Sequence, residues 1–443
     1  MTNSSNTTAP DNKQTITIST ADKRAKALKK RHSAERRFQW YGRISIAFGI
    51  ACVVFLFTDI ISKGHGAFTQ TYVNVDVTFD EETLGLTSTS SEAEIKAASF
   101  SSFFKKSLRN KYPEFTSRKQ KRELYAIFSS DMPLILRDMV IADPSLMGTT
   151  QTVSMIADDD FDVYYKHSYG RNLSEEDEVS RLSDAQEGII KDLVESGAVE
   201  TKFNSIFFSS ADSREPELAG IKGAIVGSIL TLLVTLLLSF PIAVATAIYL
   251  EEFAPTNKIT DFIEVNINNL AAVPSVIFGL LGLAIFINFF GMPRSVPLVG
   301  GFVLALMTLP TIIISSRAAI KAVPPSIREA AYGMGASKVQ TVIHHVLPLA
   351  MPGMLTGTII GMAQALGETA PLLMIGMVAF IVDTPTGITD SATVLPVQIF
   401  LWSDSPERAF VEKTSAAIMV LLAFLICMNS FAVWLRKRLE RRW

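Results

Sequence analysis

Residues 324–353 read PPSIREAAYGMGASKVQTVIHHVLPLAMPG and form a polar stretch between strongly apolar segments. Pro324 and Pro325 end any helix that precedes them, because a proline cannot donate a backbone hydrogen bond inside a helix. Ser326 and Glu329 have the spacing of a capping box, in which the serine oxygen accepts from the third helical N–H and the glutamate reaches back. The sequence therefore predicts a capped helix that starts at this point.

The same stretch predicts a turn and a second helix. Gly335 tolerates positive φ and is a common helix stop. Ser337 and Gln340 repeat the capping-box spacing, and Pro348 and Pro352 are expected to end the second helix. The pattern indicates helix, tight turn, helix, which an ordinary capped hairpin would also explain.

Long apolar segments surround this hairpin. Apolar residues make up 48% of the 443 residues, and a spanning helix needs about 20 mostly apolar residues. No small-residue cleavage site follows the first segment, so we expect a retained anchor rather than a signal peptide. Six segments are long enough or nearly so, at residues 44–61, 221–250, 270–290, 297–316, 353–382 and 415–435. We predict a mainly α, polytopic membrane protein with six transmembrane helices and a transmembrane domain at 221–435.

Charge is distributed asymmetrically along the chain. Residues 1–43 hold 10 basic residues against 3 acidic ones, residues 62–220 hold 17 against 27, and residues 436–443 are again basic. Because cytoplasmic segments next to spans are rich in Lys and Arg, we predict cytoplasmic termini, with a basic tail at 436–443. In the cytoplasmic segment 1–43 we expect disorder to about residue 22 and a basic helix from residue 23 to 43. These basic segments adjoin spans, so we expect contact with membrane lipids and no nucleic acid.

Residues 62–220 are then extracytoplasmic and numerous enough for a domain with its own core. Residues 71–79 alternate polar and apolar types, which predicts a strand whose Val73, Val75, Val77 and Phe79 face inward. We also expect helices at 92–111, 118–140 and 183–197 and a last strand at 203–208. The prediction is an inserted α+β domain.

An acidic run lies within this domain. Asp158, Asp159 and Asp160, followed by Asp162, resemble calcium ligands in composition. They lack the glycine and the twelfth-position glutamate of the EF-hand loop. We interpret the run as a solvated acidic turn and predict no metal site.

Two spans carry marked glycine and proline patterns. The third span contains Pro274 and Gly279 and is expected to be broken or kinked where protein surrounds it. Gly353, Gly357 and Gly361 follow at spacing four, which lets helix backbones approach closely. This face of the fifth span should pack against another helix.

Glu368 is the only charged side chain in the predicted fifth span. It follows Gly357, Gly361 and Gln364 at steps of four, three and four, which places these residues on one helix face. A carboxylate at membrane depth costs at least about 2.5 kcal/mol, so it usually faces a partner or a water-filled pathway. We predict that Gln364, Glu368 and Thr369 line a translocation pathway; the alternative is a structural pair with an arginine of a neighbouring subunit.

The hairpin holds a Glu-Ala-Ala triplet, a glycine after three intervening residues and a Leu-Pro pair, at Glu329, Ala330, Ala331, Gly335, Leu347 and Pro348. This pattern resembles the EAA loop of ABC-importer permeases, with His345 where the family usually has isoleucine. The resemblance implies that the hairpin is cytoplasmic and docks into a groove on an ATPase subunit. It also implies that these six residues couple the permease to that ATPase.

The segment Gly367-Glu368-Thr369-Ala370-Pro371 narrows the resemblance from ABC-importer permeases in general to one family of them. With the EAA loop and the Leu-Pro-Val-Gln sequence at 395–398, it is similar to phosphate-specific permeases of the PstA family over roughly residues 220–443. That family often has an arginine where this chain has Gln364. The resemblance implies a phosphate pathway in the inner membrane, a second permease subunit that supplies cationic ligands, ATP-binding subunits and an extracytoplasmic phosphate-binding protein. A protonated phosphate would donate a hydrogen bond to Glu368, which sulfate cannot do.

The chain contains no G-x-x-x-x-G-K-[ST] phosphate-binding loop. ATP hydrolysis is therefore expected in a separate subunit, and we predict a transport subunit rather than an enzyme, with no cofactor. Two alternatives remain: a permease for another oxyanion or small solute, and a membrane sensor with an extracytoplasmic ligand domain. A sensor needs few spans and an inner signalling domain, which this pattern does not favour.

Overall fold

A computed structural model describes residues 13–113, 115–170, 182–378 and 380–439. The chain divides into two compact units, residues 1–62 and residues 63–443. The first unit is dominated by one helix, α1 (Lys13–Gly64). The predicted disorder falls partly on residues 1–12, outside the described ranges. The described chain is helical from Lys13, so the prediction of disorder is wrong for residues 13–22. The basic helix expected at 23–43 is part of α1, and its Ala, Lys, Arg and Leu residues are strong helix formers.

The α+β region follows in the second unit. Strand β1 (Thr69–Thr78) lies between β2 (Thr150–Ile156) and β3 (Val199–Phe203) and pairs antiparallel with both. Alternate side chains of a strand point to opposite faces of the sheet. The four side chains predicted to face inward are all buried: Val73, Val75, Val77 and Phe79. The opposite face is polar, so the core lies on one side of the sheet only.

Short helices cover the apolar side of this sheet. They are α2 (Glu81–Leu84), α3 (Glu92–Ala97), α4 (Phe100–Lys111), α5 (Arg118–Tyr125), α6 (Met132–Ala142), α7 (Asp159–Gly170), α8 (Asp184–Glu195) and α9 (Ser205–Ser209). The capping box predicted at Ser183 is present, and Gly197 follows α8 with a φ of 70°. The predicted α+β composition of this region is confirmed.

Three elements of the region differ from the prediction. The helix at 92–111 is two helices, because the chain leaves helical geometry at Ala98 and Ser99. The helix at 118–140 is interrupted where Phe128 forms an isolated bridge with Ala157. The prediction of a strand at 203–208 is wrong, because the Asn204 side chain accepts a hydrogen bond from the Phe207 N–H and so caps α9.

Among the described residues, five helices are long and apolar enough to span a membrane, or six if a bent pair counts as one span. The five are Ala27–Phe68, Lys222–Phe253, Pro297–Lys321, Lys338–Gly367 and Ala409–Arg438. The bent pair corresponds to the predicted third span. Its halves, Lys258–Ala271 and Ser275–Phe289, meet at 101° around Pro274, so the predicted kink is a break.

The remaining helices complete the membrane part. They are α10 (Lys222–Ile248), α11 (Lys258–Ala271), α12 (Ser275–Gly282), α13 (Pro297–Lys321), α14 (Pro325–Gly333), α15 (Lys338–Thr341), α16 (Leu347–Gly367), α17 (Ala370–Met374), α18 (Leu395–Ser403) and α19 (Ala409–Leu439). Helix α13 packs against both α10 and α16. The fifth span ends at Gly367, well before the predicted residue 382, because the chain takes an extended conformation at Glu368.

Glycines set the closest helix contacts. A β-carbon on Gly353 would lie 2.6 Å from the Ala319 β-carbon, and one on Gly357 would lie 2.4 Å from the Ser315 β-carbon. The predicted glycine face of α16 therefore packs on α13. At a second contact, a β-carbon on Gly279 of α12 would lie 2.6 Å from the backbone Cα of Pro371. This contact holds the broken third span against the segment that follows Glu368.

The Gly279 contact gives a matched pair of substitutions. Gly279→Ala places a methyl group against backbone that cannot rotate away, and such overpacking costs about 1–3 kcal/mol. We expect the melting temperature of the detergent-purified protein to fall by several degrees. Gly367→Ala is the control, because no described atom lies within 4 Å of a β-carbon there. Equal melting temperatures for the two variants would contradict this contact.

Candidate functional site

The hairpin is built as helix, turn, helix, as predicted. Helix α14 ends at Gly333, Gly335 has a φ of 84°, and α15 starts at Lys338. The second capping box is present: the Gln340 N–H donates to the Ser337 hydroxyl, and the Ser337 N–H donates to the Gln340 side-chain oxygen at 2.9 Å. The turn and the second cap are therefore specified locally.

The prediction of a first capping box, between Ser326 and Glu329, is wrong. Helix α14 begins at Pro325 with Pro324 in the cap position, and neither Ser326 nor Glu329 makes a capping hydrogen bond. Proline at the first helical position lacks the N–H that a cap would satisfy. The helix therefore starts two residues earlier than the serine spacing predicts, and Glu329 is left exposed.

The prolines after the hairpin do not end its second helix. A wider helical turn at Val342–Val346 follows α15, and α16 then runs through Pro348 and Pro352. Because Pro348 has no N–H to donate, a locally wider turn removes the conflict with the preceding carbonyls. The hairpin is consequently continuous with the fifth span.

Apolar side chains are exposed at the tip of the hairpin. Met334 is 90% exposed, and Tyr332, Val339 and Ile343 are also exposed. A group of exposed apolar residues on a polar loop is typical of a docking surface. These residues are not among the sites predicted from the sequence, although their apolar type within a polar loop was a usable signal.

The structure divides the predicted coupling residues into two groups. Glu329, Ala330 and Gly335 are exposed on the hairpin, whereas Ala331 is buried. Leu347 and Pro348 are half-buried at the start of α16, and Leu347 packs against the ends of α10 and α13. The exposed group can contact a partner, and the other group attaches the hairpin to the spans.

Arg328 ties the hairpin to the rest of the protein. Its Nε and Nη2 donate to Glu252 Oε1 at 3.0 and 2.7 Å. Its Nη1 donates to the Val323 carbonyl at 2.7 Å, and Nη2 also donates to the Ile320 carbonyl at 3.0 Å. Ile320 belongs to the last turn of α13, and Val323 lies two residues beyond its end. One guanidinium thus joins α14, the end of α13 and the turn after α10.

A second arginine adds α11 to this set of connected elements. Arg317 of α13 pairs with Glu251 and with Glu264 of α11, each at 2.5 Å, and Lys321 lies 3.3 Å from Glu251. No sequence pattern predicted this pairing, because the partners lie 53 and 66 residues away in sequence.

Glu368 lies at the end of a helix rather than within one. Its φ of −78° and ψ of 123° are extended, so it does not share the helix face of Gly357 and Gly361 as predicted. Gln364 is exposed on α16, and Glu368 and Thr369 are half-buried between α16 and α17. Glu368 and Thr369 thus follow the end of α16, whereas Gln364 lies within this helix.

A protein family described as binding-protein-dependent transport system inner membrane component matches residues 218–442. The chain belongs to this family. A separate domain of unknown function, DUF3333, matches residues 25–175. The permease thus contains two regions that match different families. Most of the α+β region lies in the part that DUF3333 matches.

Individual relatives agree with this membership. The permease is 30% identical over 226 residues to the phosphate transport system permease protein PstA of Mycobacterium leprae, covering 50% of this chain and 72% of the relative. It is 27% identical over 262 residues to the probable ABC transporter permease protein YqgI of Bacillus subtilis, and the match covers 56% of this chain and 87% of the relative. A solved structure of the MetNI methionine ABC transporter in an inward-facing conformation matches 50% of this chain and 96% of its own, at 17% identity and a TM-score of 0.42.

The acidic run of the α+β region is not the solvated turn that the sequence predicts. Asp158, Asp159 and Asp160 are half-buried at the start of α7, and their carboxylate oxygens lie within 4.8 Å of one another. Burial, together with neighbouring carboxylates, raises the pKa of Asp158 to about 8 and that of Asp159 to about 6. Burial also raises the pKa of Glu217, in the segment before α10, to about 7.

Arg328→Lys tests the attachment of the hairpin. A lysine keeps the charge but cannot form the forked set of hydrogen bonds. Loss of about 1.4 kcal/mol corresponds to a tenfold change in an opening equilibrium, so we expect amide exchange in residues 325–341 to be about tenfold faster. Exchange mass spectrometry measures this, with Arg118→Lys on exposed α5 as the control. Unchanged exchange in Arg328→Lys would contradict the role of the guanidinium.

The raised pKa values predict a pH dependence of stability. In the folded protein these carboxyls keep protons that the unfolded chain loses near its ordinary pKa values of 3.8 and 4.5. The free energy of unfolding therefore falls as the pH rises from about 4.5 to about 8. Melting temperatures measured in EDTA should decline across this window.

Glu217→Gln should remove part of the decline, because glutamine stays neutral at every pH. Glu195→Gln changes an exposed glutamate of α8 and should reproduce the full decline. A melting temperature of the unmodified protein that rises across the same window would contradict the burial of these carboxyls.

Proposed function

We propose that the permease forms part of the translocation pathway of an ATP-driven importer of inorganic phosphate. In this proposal it pairs with a second permease subunit, docks ATP-binding subunits through its hairpin and receives phosphate from an extracytoplasmic phosphate-binding protein. Relatives named as phosphate transport permeases support the choice of solute.

One observation carries this function. Two interrupted helices meet beside Glu368: α12, which starts at the break near Pro274, and α17, which starts two residues after Glu368. Gly279 of α12 lies against Pro371 of α17. In secondary transporters, substrate sites lie where discontinuous helices free their backbone groups inside the membrane. Glu368 adds a carboxylate acceptor to a place of this kind.

The carboxylate suggests how phosphate is selected. Phosphate carries a proton near neutral pH, and it can donate a hydrogen bond to Glu368, whereas sulfate has no proton to donate. A site that depends on such a hydrogen bond rejects an analogue that lacks the donor. Residues 223–316 contain only Lys258 and Arg294 as basic side chains. The second permease subunit supplies the cationic ligands in this proposal.

The hairpin supplies the coupling. Tyr332, Met334, Val339 and Ile343 form the docking surface for an ATPase subunit, and Arg328 transmits force from it to α13. In this proposal the protein lies in the inner membrane with both termini in the cytoplasm. Its domains are an anchor at 44–61, an extracytoplasmic region at 62–220 and a permease domain at 221–435. ATP hydrolysis belongs to the separate ATPase subunit.

Transport by the reconstituted complex tests the proposal. The permease is co-purified with its ATPase, second permease and binding protein, and uptake of phosphate and sulfate is measured with and without ATP. We expect ATP-dependent uptake of phosphate and not of sulfate. Glu368→Gln should lower phosphate uptake by roughly tenfold to a hundredfold, because a hydrogen bond to a charged group contributes about 1.5–3 kcal/mol.

The control and the contrary outcomes are specific. Glu195→Gln should transport as the unmodified protein does, and both variants should assemble with their partners. Full uptake by Glu368→Gln would remove this residue from the pathway. Equal uptake of sulfate would favour a permease for oxyanions in general, and absence of an ATPase from the purified complex would overturn the importer itself.

A further inference from the structure

A cavity of about 800 Å³ opens beside the start of the hairpin. It lies between the end of α13, the start of α14, the first half of α16 and the end of α19. Pockets that enclose a small-molecule ligand have volumes of about 300–1,000 Å³. The wall of this cavity is mainly apolar and includes Ala319, Ala322, Val323, Ile327 and Leu349. Among the described residues, the lining shares no member with the proposed docking surface or with the segment around Glu368.

The cavity extends from the ends of the helices into the span. Gly357 of α16 packs at the level of Ser315 of α13, because a β-carbon on Gly357 would lie 2.4 Å from the Ser315 β-carbon. Thr356, next to Gly357, lines the cavity. Ser315 lies one and a half turns, or about 9 Å, inside the end of α13 at Lys321. One end of the cavity is therefore at the boundary of the span, and the other is at the depth of acyl chains.

Arg436 of α19 brings a positive charge to this cavity. Its Nη1 donates to the Thr356 hydroxyl at 3.2 Å, and its Nε is buried without a hydrogen-bond partner among the described residues. Arg317, Lys321 and Arg328, at the same end of the spans, each pair with a carboxylate. No described carboxylate pairs with Arg436. Because an unpaired charge at the edge of the hydrocarbon region is costly, this guanidinium indicates an anionic ligand.

The combination of an apolar wall and one guanidinium selects among anions. A free inorganic anion gains nothing from apolar walls, whereas an anionic phospholipid uses both features. Arginine forms forked hydrogen bonds with the oxygens of a phosphate group, and acyl chains are stabilised by apolar surface. Basic pockets between transmembrane helices are known to bind anionic lipid headgroups. Lys437 and Arg438, which follow Arg436 and are exposed, add positive charge at the mouth of the site.

We propose that this cavity binds one anionic phospholipid, with Arg436 holding the headgroup phosphate and the apolar wall holding the upper part of the acyl chains. Ser326 and Ile327 of α14 also line the cavity. The lipid therefore adds contacts at the base of the hairpin, between α14 and α16. This site does not depend on which solute the permease carries.

Lipid binding by the detergent-purified full-length chain tests the proposal. Native mass spectrometry compares phosphatidylglycerol with phosphatidylcholine of the same acyl chains, since the two lipids differ in net charge. We expect one phosphatidylglycerol per chain, bound at least about tenfold more tightly than phosphatidylcholine. Phosphatidylglycerol should also raise the melting temperature by several degrees. Inorganic phosphate at millimolar concentration should not displace the lipid, because it cannot use the apolar wall.

Three variants separate charge, space and folding. Arg436→Gln should weaken binding of phosphatidylglycerol by about tenfold or more. Lys437→Gln removes one charge from the same helix end at an exposed position outside the cavity lining and should bind the lipid normally. Ala322→Trp fills the cavity without changing any charge. Ala322 is exposed, so this variant should fold normally in detergent and still lose lipid binding.

Five results would overturn the proposal. Equal binding of the two lipids would exclude recognition of the headgroup charge, and undiminished binding by Arg436→Gln would exclude this guanidinium. Equal losses in Arg436→Gln and Lys437→Gln would reduce the effect to general surface charge. Displacement of the lipid by inorganic phosphate would make the cavity a site for free anions. Loss of the bound lipid when the ATPase and the second permease join the complex would assign the cavity to a protein partner.

Discussion

Backbone hydrogen bonding within the spans constrains the rest of this permease. Inside a bilayer each N–H and C=O needs a partner from the protein, and every proline in a span removes one donor. At Pro241, Pro310 and Pro352 the helices continue, but at two other prolines the helix changes. At Pro274 it breaks, and the two helical pieces meet at 101°. At Pro348 it widens one turn, at Val342–Val346, and continues as a helix. The first change produces a discontinuous helix beside Glu368, and the second makes the hairpin an extension of the fifth span.

Charged groups follow opposite rules in two parts of the molecule. At the hairpin end of the spans, Arg317 and Arg328 meet carboxylates in pairs, and Arg328 also donates to the Ile320 and Val323 carbonyls at the end of α13. Such forked contacts fix the relative positions of the elements that they join. In the α+β region, Asp159 and Glu217 line the same cavity as Lys166 and Lys413, and burial raises the pKa values of both carboxyls. Buried carboxyls that keep their protons make the stability of this region depend on pH.

Local signals in the sequence predicted much of the fold. The alternation of Val73, Val75 and Val77 specified the central strand, and the boxes at Ser183 and Ser337 specified helix starts, because each depends on neighbours within a few residues. The prediction of a capping box at Ser326 is wrong because the two prolines before it already determine the helix start. The predicted end of the fifth span is wrong because a hydropathy pattern cannot show that the chain becomes extended at Glu368. The pairs of Arg317 and Arg328 join residues that are distant in sequence, and no single-sequence pattern reports such contacts.

The continuous helical segment gives the proposed coupling a mechanical basis. Lys338–Gly367 comprises 30 residues, about 45 Å at 1.5 Å per residue, with the docking hairpin at one end and Glu368 just beyond the other. The glycine face of α16 lies too close to α13 for the two helices to separate easily in the middle of the span. A displacement of the hairpin must therefore either break the pairing of Arg328 with Glu252 or be absorbed at the wide turn Val342–Val346. Wide turns of this type have irregular hydrogen bonding and occur often at functional sites. The turn that accommodates Pro348 is thus also the place where motion of the hairpin would be converted into rotation of α16.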